Sequence, residues 1–523
     1  MKDYKSNYLN FLIIIVIALG IFFRFANLDK KVYWIDEVHT SVRVAGYKKT
    51  EFVDQAPSDR IISIDDLLRF QQLSPQRDWN DTITALAGNA EHTPLYYAIA
   101  RLAMQAFGSS VAVTRGVAAA LSLLVFPCIY WLCLELFASP IVGWIAMALI
   151  AVSPLHILYA QEAREYSLLT ATTLLSSAAL LRAIRKNNQF SWGIYAVSVA
   201  LGLYSHLLFI LVSLTHGIYA LATQRRVFLR YIFTSLVGLA TLTPWIILYF
   251  VNASSIGEWT ARSIGLDTLI KRWLTNLTAV FFDLQVRYNN IQFFDVESGN
   301  DALQLDFIDF LCIVAVITLV VTAIAILYKS TKQSTWLFIL ILIIIPVSSL
   351  VIPDLIGGGQ RSSIARYLLP TYLGIQLAVA YLFANRLGSR GWQQKLWQVG
   401  LIIVLSAGIF SAAVSLQAQT WWNKYSGYYN PQIAATINQA RNPLVISSQK
   451  RVSRILSLSY DLNSETKILL VSKTEIFDDL SNFSDIFLFR PDAELHAKLT
   501  NDSNYKLEVL HAPGQLWKLH KFS

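Results

Sequence analysis

Charge is what this chain has least of: only 15% of its 523 residues are Asp, Glu, Lys or Arg, against about 25% in soluble globular proteins. That deficit excludes a disordered chain and argues against an ordinary cytosolic enzyme. Cysteine is nearly missing too. Cys128, Cys133 and Cys312 all lie inside apolar runs, without CxxC or Cys/His spacing, so neither a disulfide framework nor a zinc knuckle is expected. There is no internal repeat and no low-complexity tract, and the Gly357, Gly358, Gly359 run lacks the strand, lysine and helix of a phosphate-binding loop. The formal charge of +9 forms no basic stripe with interleaved aromatics, so no nucleic-acid partner is implied.

What is present is apolar, and it comes in blocks. Blocks near the roughly 17 to 25 residues needed to cross a bilayer are Leu9 to Phe25, Val111 to Leu134, Ile141 to Leu158, Tyr166 to Leu181, Trp192 to Tyr204, Leu207 to Leu221, Tyr231 to Val251, Phe307 to Tyr328, Thr335 to Ile352, Tyr367 to Ala384 and Val399 to Leu416. They predict a mainly α, polytopic membrane protein of about eleven spans. No small-residue cleavage site follows the first block, which reads as a retained span.

Walking the chain from a cytoplasmic N-terminus gathers Arg182, Arg185 and Lys186; Arg225, Arg226 and Arg230; Lys329 and Lys332; and Arg386, Arg390 and Lys395 into inner loops without acidic residues, as the positive-inside trend requires. The long loops 27–110 and 252–306, and the tail 418–523, then face the extracytoplasmic side, that of the plasma membrane if the source is prokaryotic. A full span over His92 to Phe107 would invert every later loop. This segment is therefore expected as an amphipathic helix along the outer interface, with Leu95, Tyr96 and Tyr97 at the lipid boundary. The tail alternates short β-rich runs with polar or helical stretches after Trp421 and Trp422, which suggests a small extracytoplasmic α/β accessory domain on a transmembrane catalytic domain of residues 1–417.

Four outer segments carry chemistry-bearing residues. The first is Tyr33, Trp34, Ile35, Asp36, Glu37, Val38, His39, in which two adjacent carboxylates follow a membrane exit. A carboxylate placed there can act as a general base, and equally could be an ordinary surface acid. His92, in Glu91-His92-Thr93-Pro94-Leu95-Tyr96-Tyr97, opens the interfacial helix facing outward. The turn Gln161 to Tyr166 carries Arg164 between Glu162 and Glu165; its guanidinium suits a phosphate, or else pairs with one of those carboxylates. In Gln360 to Pro370, Arg361 and Arg366 run against the positive-inside trend, and an anionic headgroup or leaving phosphate would explain them. Arg115 and His206, also at outer ends of spans, are weaker members of the set.

In order, spacing and common side, these segments resemble the GT-C class of integral membrane glycosyltransferases, in particular the branch of protein mannosyltransferases and lipid A aminoarabinose transferases. The resemblance rests on Asp36-Glu37, His92-Thr93-Pro94-Leu95-Tyr96-Tyr97, Ser153-Pro154 to Gln161, Arg164 and Tyr166, and Arg366-Tyr367-Leu368-Leu369-Pro370, and covers roughly the first 385 residues. It implies hexosyl or pentosyl transfer from a polyprenyl-phosphate donor to an acceptor hydroxyl of a lipid, glycan or protein, with inversion. By position Asp36 is the catalytic acid with Glu37 its neighbour; Arg164, Arg366, Arg361 and Arg115 bind the donor phosphate; and His92, Glu165, Tyr166, Tyr367 and His206 line the cavity. No cofactor is compelled, and a divalent metal held by Glu37, His39 and His92 is left open. A transporter or flippase of lipid-linked sugars is the alternative, and a noncatalytic assembly protein a third reading.

Overall fold

A computed structural model of the chain describes residues 2–252, 258–288, 292–294, 304–472, 480 and 482–521. Segments 253–257, 289–291 and 295–303 of the expected second outer loop lie outside the described residues. The chain is a multi-span α-helical membrane protein. Each of the eleven apolar blocks falls on helix, but length and composition qualify fewer as spans among the described residues: Val111–Phe137, Tyr166–Lys186, Phe307–Ser330, Gln333–Gly357, Ala365–Leu387 and Trp392–Gln417. Two more candidates are bent pairs, Pro140–Ala151 with Pro154–Ala160 at 64° and Arg225–Thr241 with Thr243–Val251 at 60°. Phe11–Phe25 and Phe209–Thr223 are shorter apolar helices.

The first bend has a local cause. Pro154 has no N–H to donate and restricts Ser153 to an extended conformation (φ −62°, ψ 118°), so the helix ending at Ala151 cannot continue. The carbonyls freed at Ile150 and Ala151 accept from Arg24 at 2.9 and 2.5 Å. The chain then restarts as Pro154–Ala160, with proline in the first turn.

The helix Pro94–Phe107 departs from its expected setting. Tyr96 and Tyr97 are fully buried rather than at a lipid boundary, and the large apolar residues it exposes are Leu102 and Phe107. Their phenols are satisfied inside: Tyr96 Oη reaches Thr114 O (3.4 Å), and Tyr97 Oη donates to Glu165 Oε2 (3.3 Å).

The tail supplies five of the six strands of a mixed sheet, and the first outer loop supplies the sixth. The strands are β1 (Ile61–Ser63), β2 (Pro443–Ser448), β3 (Lys467–Val471), β4 (Asp485–Phe489), β5 (Tyr505–His511) and β6 (Leu516–Lys521), in the order β1-β3-β2-β4-β6-β5. β2 pairs parallel with β3 and β4; β1 closes the edge antiparallel to β3, with Ile62 opposite Ile468. As expected for parallel strands covered on both faces, β2 is buried throughout. Leu444 and Ile446 pack with Leu495 and Leu499 of the helix Ala493–Asn501. Val445 and Ile468, on the other face, share a core with Ile455 and Leu456 of the tail helix Val452–Leu458, and with Val38 and Val42 of the first loop. First loop and tail therefore fold around one core.

Candidate active site

Beyond the first helix, which ends at Phe25, Tyr33 and Trp34 lead in extended conformation into a ten-residue helix, Ile35–Val44, with Asp36 and Glu37 in its first turn, where the helix dipole favours anions. At about 100° per residue the two carboxylates point apart.

Glu37 turns inward and is fully buried. Its oxygens accept from Arg115 Nε and Nη2 (2.7 Å each), Ala163 N (2.9 Å) and Lys424 Nζ (2.9 Å). Burial alone would push the Glu37 carboxyl up; Arg115 and Lys424 outweigh it and hold the group well below the usual carboxylate range. Arg115 directs its remaining donors to the carbonyls of Leu28 (2.7 Å), Lys31 (2.8 Å) and Val32 (2.8 Å). All five of its N–H groups are used, so Arg115 is corrected from a phosphate ligand to the anchor of the Glu37 helix.

Asp36 faces the other way and keeps 26% of its side-chain exposure, with Oδ2 3.5 Å from Arg366 Nη2. Arg366 is buried and sits over the rings of Trp34, Tyr166, Trp259, Tyr367 and Tyr425, its guanidinium carbon 5.6–5.7 Å from each centroid. Among the described residues its Nε and Nη1 have no hydrogen-bond partner. A buried guanidinium with unmet donors, beside a partly exposed carboxylate, is equipped to receive an anion.

Arg164 forms the second basic centre. It donates to Tyr97 Oη (3.1 Å) and Thr40 Oγ1 (3.3 Å), contacts His92 Nδ1 (3.3 Å), and lies 3.5 Å from Glu165. Of the two readings of this turn, the structure shows the ion pair: Arg164 pairs with Glu165 and lies against the ring of Tyr166. Burial raises the Glu165 carboxyl, but Arg164 and His92 bring it well below its ordinary value. His92 is corrected from an outward-facing group to a mostly buried one between Arg164, Glu165 and Glu91. Burial, then Arg43 and Arg164, bring its pKa down to about 3, so it is neutral at physiological pH. His206 lies tilted beside Tyr166 and accepts from Leu208 N (3.1 Å), which closes its turn; burial lowers its pKa to about 4. Arg361 is bound to Asp354 (3.1 Å) and to the carbonyl of Gly358 (3.3 Å), and stays partly exposed.

Glu37, His39 and His92, the trio left open as metal ligands, face different partners. Glu37 faces Arg115 and Lys424, His39 bonds Ser453 Oγ (3.0 Å), and His92 faces Arg164. Among the described residues no three His, Cys, Asp or Glu side chains are grouped to hold an ion.

Sequence reasoning passed over Lys424, Asn423, Tyr425 and Trp259. Lys424 carried a signal, because a lysine just outside the last span runs against the positive-inside trend as Arg366 does. The other three carry no signal of type or spacing.

The family model for dolichyl-phosphate-mannose-protein mannosyltransferases matches residues 91–248, a stretch that holds His92, Arg115, Glu162, Arg164, Glu165, Tyr166 and His206 but neither Asp36 nor Arg366. No curated protein matches the chain. Among solved structures, the chain is similar to ArnT from Cupriavidus metallidurans bound to undecaprenyl phosphate, at 12% identity, covering 97% of each chain with a TM-score of 0.49. It is also similar to the archaeal oligosaccharyltransferase AglB from Archaeoglobus fulgidus, in complex with an inhibitory peptide and a dolichol-phosphate, at 12% identity over 98% of this chain and 74% of that one, with a TM-score of 0.47.

Proposed function

We propose that the chain is a GT-C glycosyltransferase that moves a sugar from a polyprenyl-phosphate donor to an acceptor hydroxyl on the extracytoplasmic side. The observation that carries this reading is the pairing of Asp36 with Arg366, a partly exposed carboxylate against a buried guanidinium with two unmet donor atoms. The mannosyltransferase model over residues 91–248 supports the same reading independently.

Asp36 is the general base, because Glu37 is locked under Arg115 and Lys424. Asp36 is the counter-ion of Arg366, and the donor phosphate displaces it. The acceptor oxygen attacks the anomeric carbon while its proton passes to Asp36. The bond from that carbon to the phosphate oxygen breaks, and its electron pair leaves with the polyprenyl phosphate. Arg366 stabilises the developing charge more in the transition state than in the ground state. One displacement with the base opposite the leaving group inverts the anomeric centre.

The test is release of polyprenyl phosphate by the purified protein in nanodiscs, offered a panel of polyprenyl-phosphate sugars with candidate acceptor hydroxyls. Asp36→Asn is expected to lower turnover by about 10²–10⁴-fold, the range for loss of a general base, with donor binding retained. Unchanged turnover removes Asp36 from the role. Movement of a labelled lipid-linked sugar across proteoliposomes without release, equal in both proteins, would replace the transferase by a flippase.

A further inference from the structure

The tail enters the candidate site directly. After the last span, the indole N–H groups of Trp421 and Trp422 both donate to Asp283 Oδ2 at 2.8 Å, which fixes the backbone where Asn423 and Lys424 follow. Lys424 Nζ lies 2.9 Å from Glu37 Oε2 and 3.6 Å from Glu162 Oε2, and Asn423 Nδ2 donates to Glu162 Oε2 at 2.6 Å. All four side chains are buried. Arg115 neutralises Glu37 from one side; among the described residues Lys424 is the cation within ion-pair distance of Glu162.

The tail also grips the other side of the helix that carries Asp36. Ser453 Oγ bonds His39 Nε2 (3.0 Å), Ser457 Oγ donates to the carbonyl of Tyr33 (2.7 Å), and Tyr460 packs edge-on against Tyr33 with ring centroids 5.0 Å apart. The Ile35–Val44 helix is thus held at its inner end by Lys424 and along its flank by the tail helix Val452–Leu458.

We propose that Lys424 is a positioning residue for sugar transfer: by bridging Glu37 and Glu162 it fixes the helix that presents Asp36, and so makes the tail part of the active site rather than an accessory. This rests on Asp36 being the base. Small misplacement of a reacting group is enough to slow a transfer strongly. Burial raises the Glu162 carboxyl and Lys424 is the largest force opposing it. Without that charge the carboxyl takes up a proton at higher pH, and the acid limb of the rate profile moves upward.

The experiment compares full-length wild type, Lys424→Met and Lys424→Met/Glu162→Gln in nanodiscs. The single variant is expected to lose about 10–100-fold in kcat, as for a shifted catalytic group, with KM for the donor little changed and the acid limb moved to higher pH. Hydrogen exchange of peptides from 35–44 is expected to rise. The double variant, with no carboxyl left to titrate at position 162, is expected to keep the low kcat and to return the acid limb to its wild-type position. Unchanged kcat and acid limb in Lys424→Met overturn the proposal, as does lost kcat without raised exchange in 35–44. If wild type itself releases no polyprenyl phosphate, the transferase reading fails, while the exchange readout still decides whether Lys424 holds the helix. Should Lys424→Met not fold, Lys424→Arg carries the test: lowered kcat at unchanged Tm supports positioning, and unchanged kcat overturns it.

Discussion

Arg115 and Arg366 bring the same five donors to the outer end of the bundle. Arg115 places all of them, on the Glu37 carboxylate and on three backbone carbonyls between Leu28 and Val32. Arg366, 3.5 Å from Asp36 and set among aromatic rings, has Nε and Nη1 unmet among the described residues. Their substitutions should therefore fail differently. Arg115→Met leaves the buried Glu37 to share Lys424 with Glu162 and is expected to cost about 3–5 kcal/mol, as when one partner of a buried pair is removed. Arg366→Gln leaves only the partly exposed Asp36 without its partner and is expected to keep Tm within a few degrees while lowering turnover by about 10²–10³-fold, the loss seen for a transition-state donor. Melting curves beside turnover separate the two; an Arg366→Gln protein that melts early and an Arg115→Met protein that does not would reverse the assignment. The sequence marks both arginines as outer-side cations needing a partner, and there its information ends. Which partner each finds depends on Lys31, Val32 and Glu37 arriving from a segment some eighty residues away in one case, and on aromatic rings from four separate segments in the other. The divergence of Asp36 and Glu37, by contrast, follows from helical periodicity alone.

At the scale of elements, the bend between Pro140–Ala151 and Pro154–Ala160 organises the site, because the second helix runs straight into Gln161 to Glu165. The Ser153-Pro154 break is visible in sequence, but the neighbours that stabilise it are not. Gly20 of the first span faces the backbone at Ala151 so closely that a Cβ would stand 2.3 Å from the Ala151 carbonyl oxygen; Gly408 of the last span meets the Val152 carbonyl oxygen in the same way, at 2.4 Å. Small residues let the first and last helices approach the bend, as at other helix crossings in membranes, and that approach brings Arg24 onto the freed carbonyls of Ile150 and Ala151. Gly20→Leu should push the first helix away and break the Arg24 clamp. Overpacking of this kind costs about 1–3 kcal/mol, read as a lowered Tm of the detergent-solubilised protein with turnover falling alongside it. Gly193→Leu, where a Cβ meets nothing within 4 Å, is the control expected to leave both unchanged. Equal melting of the two variants would mean that the close crossing is not needed.

Across the whole molecule the charged groups separate to opposite ends of the helices. At one end Arg185 bonds Glu135 (2.8 Å), Arg230 reaches the Asn187 carbonyl (3.3 Å), and Thr335 bonds the Leu136 carbonyl (3.1 Å), joining the loops expected on the inside. At the other end lie Asp36, Arg366, Arg164 and Lys424, together with the sheet that the first loop shares with the tail. The proposed orientation, which follows the positive-inside trend, puts the first end in the cytoplasm, and transfer from a polyprenyl-phosphate sugar would then occur on the far side of the membrane. Single cysteines test this in a background in which Cys128, Cys133 and Cys312 are replaced by alanine. Glu494→Cys lies on the exposed first turn of the helix Ala493–Asn501, and Arg226→Cys on the exposed basic first turn of the helix Arg225–Thr241. A membrane-impermeant maleimide applied to intact cells is expected to label position 494 and spare 226, with both labelled after lysis. The converse pattern would place Asp36 and Arg366 in the cytoplasm, where the basic loops could no longer be topology signals. The acceptor hydroxyl would then have to be sought among cytoplasmic molecules.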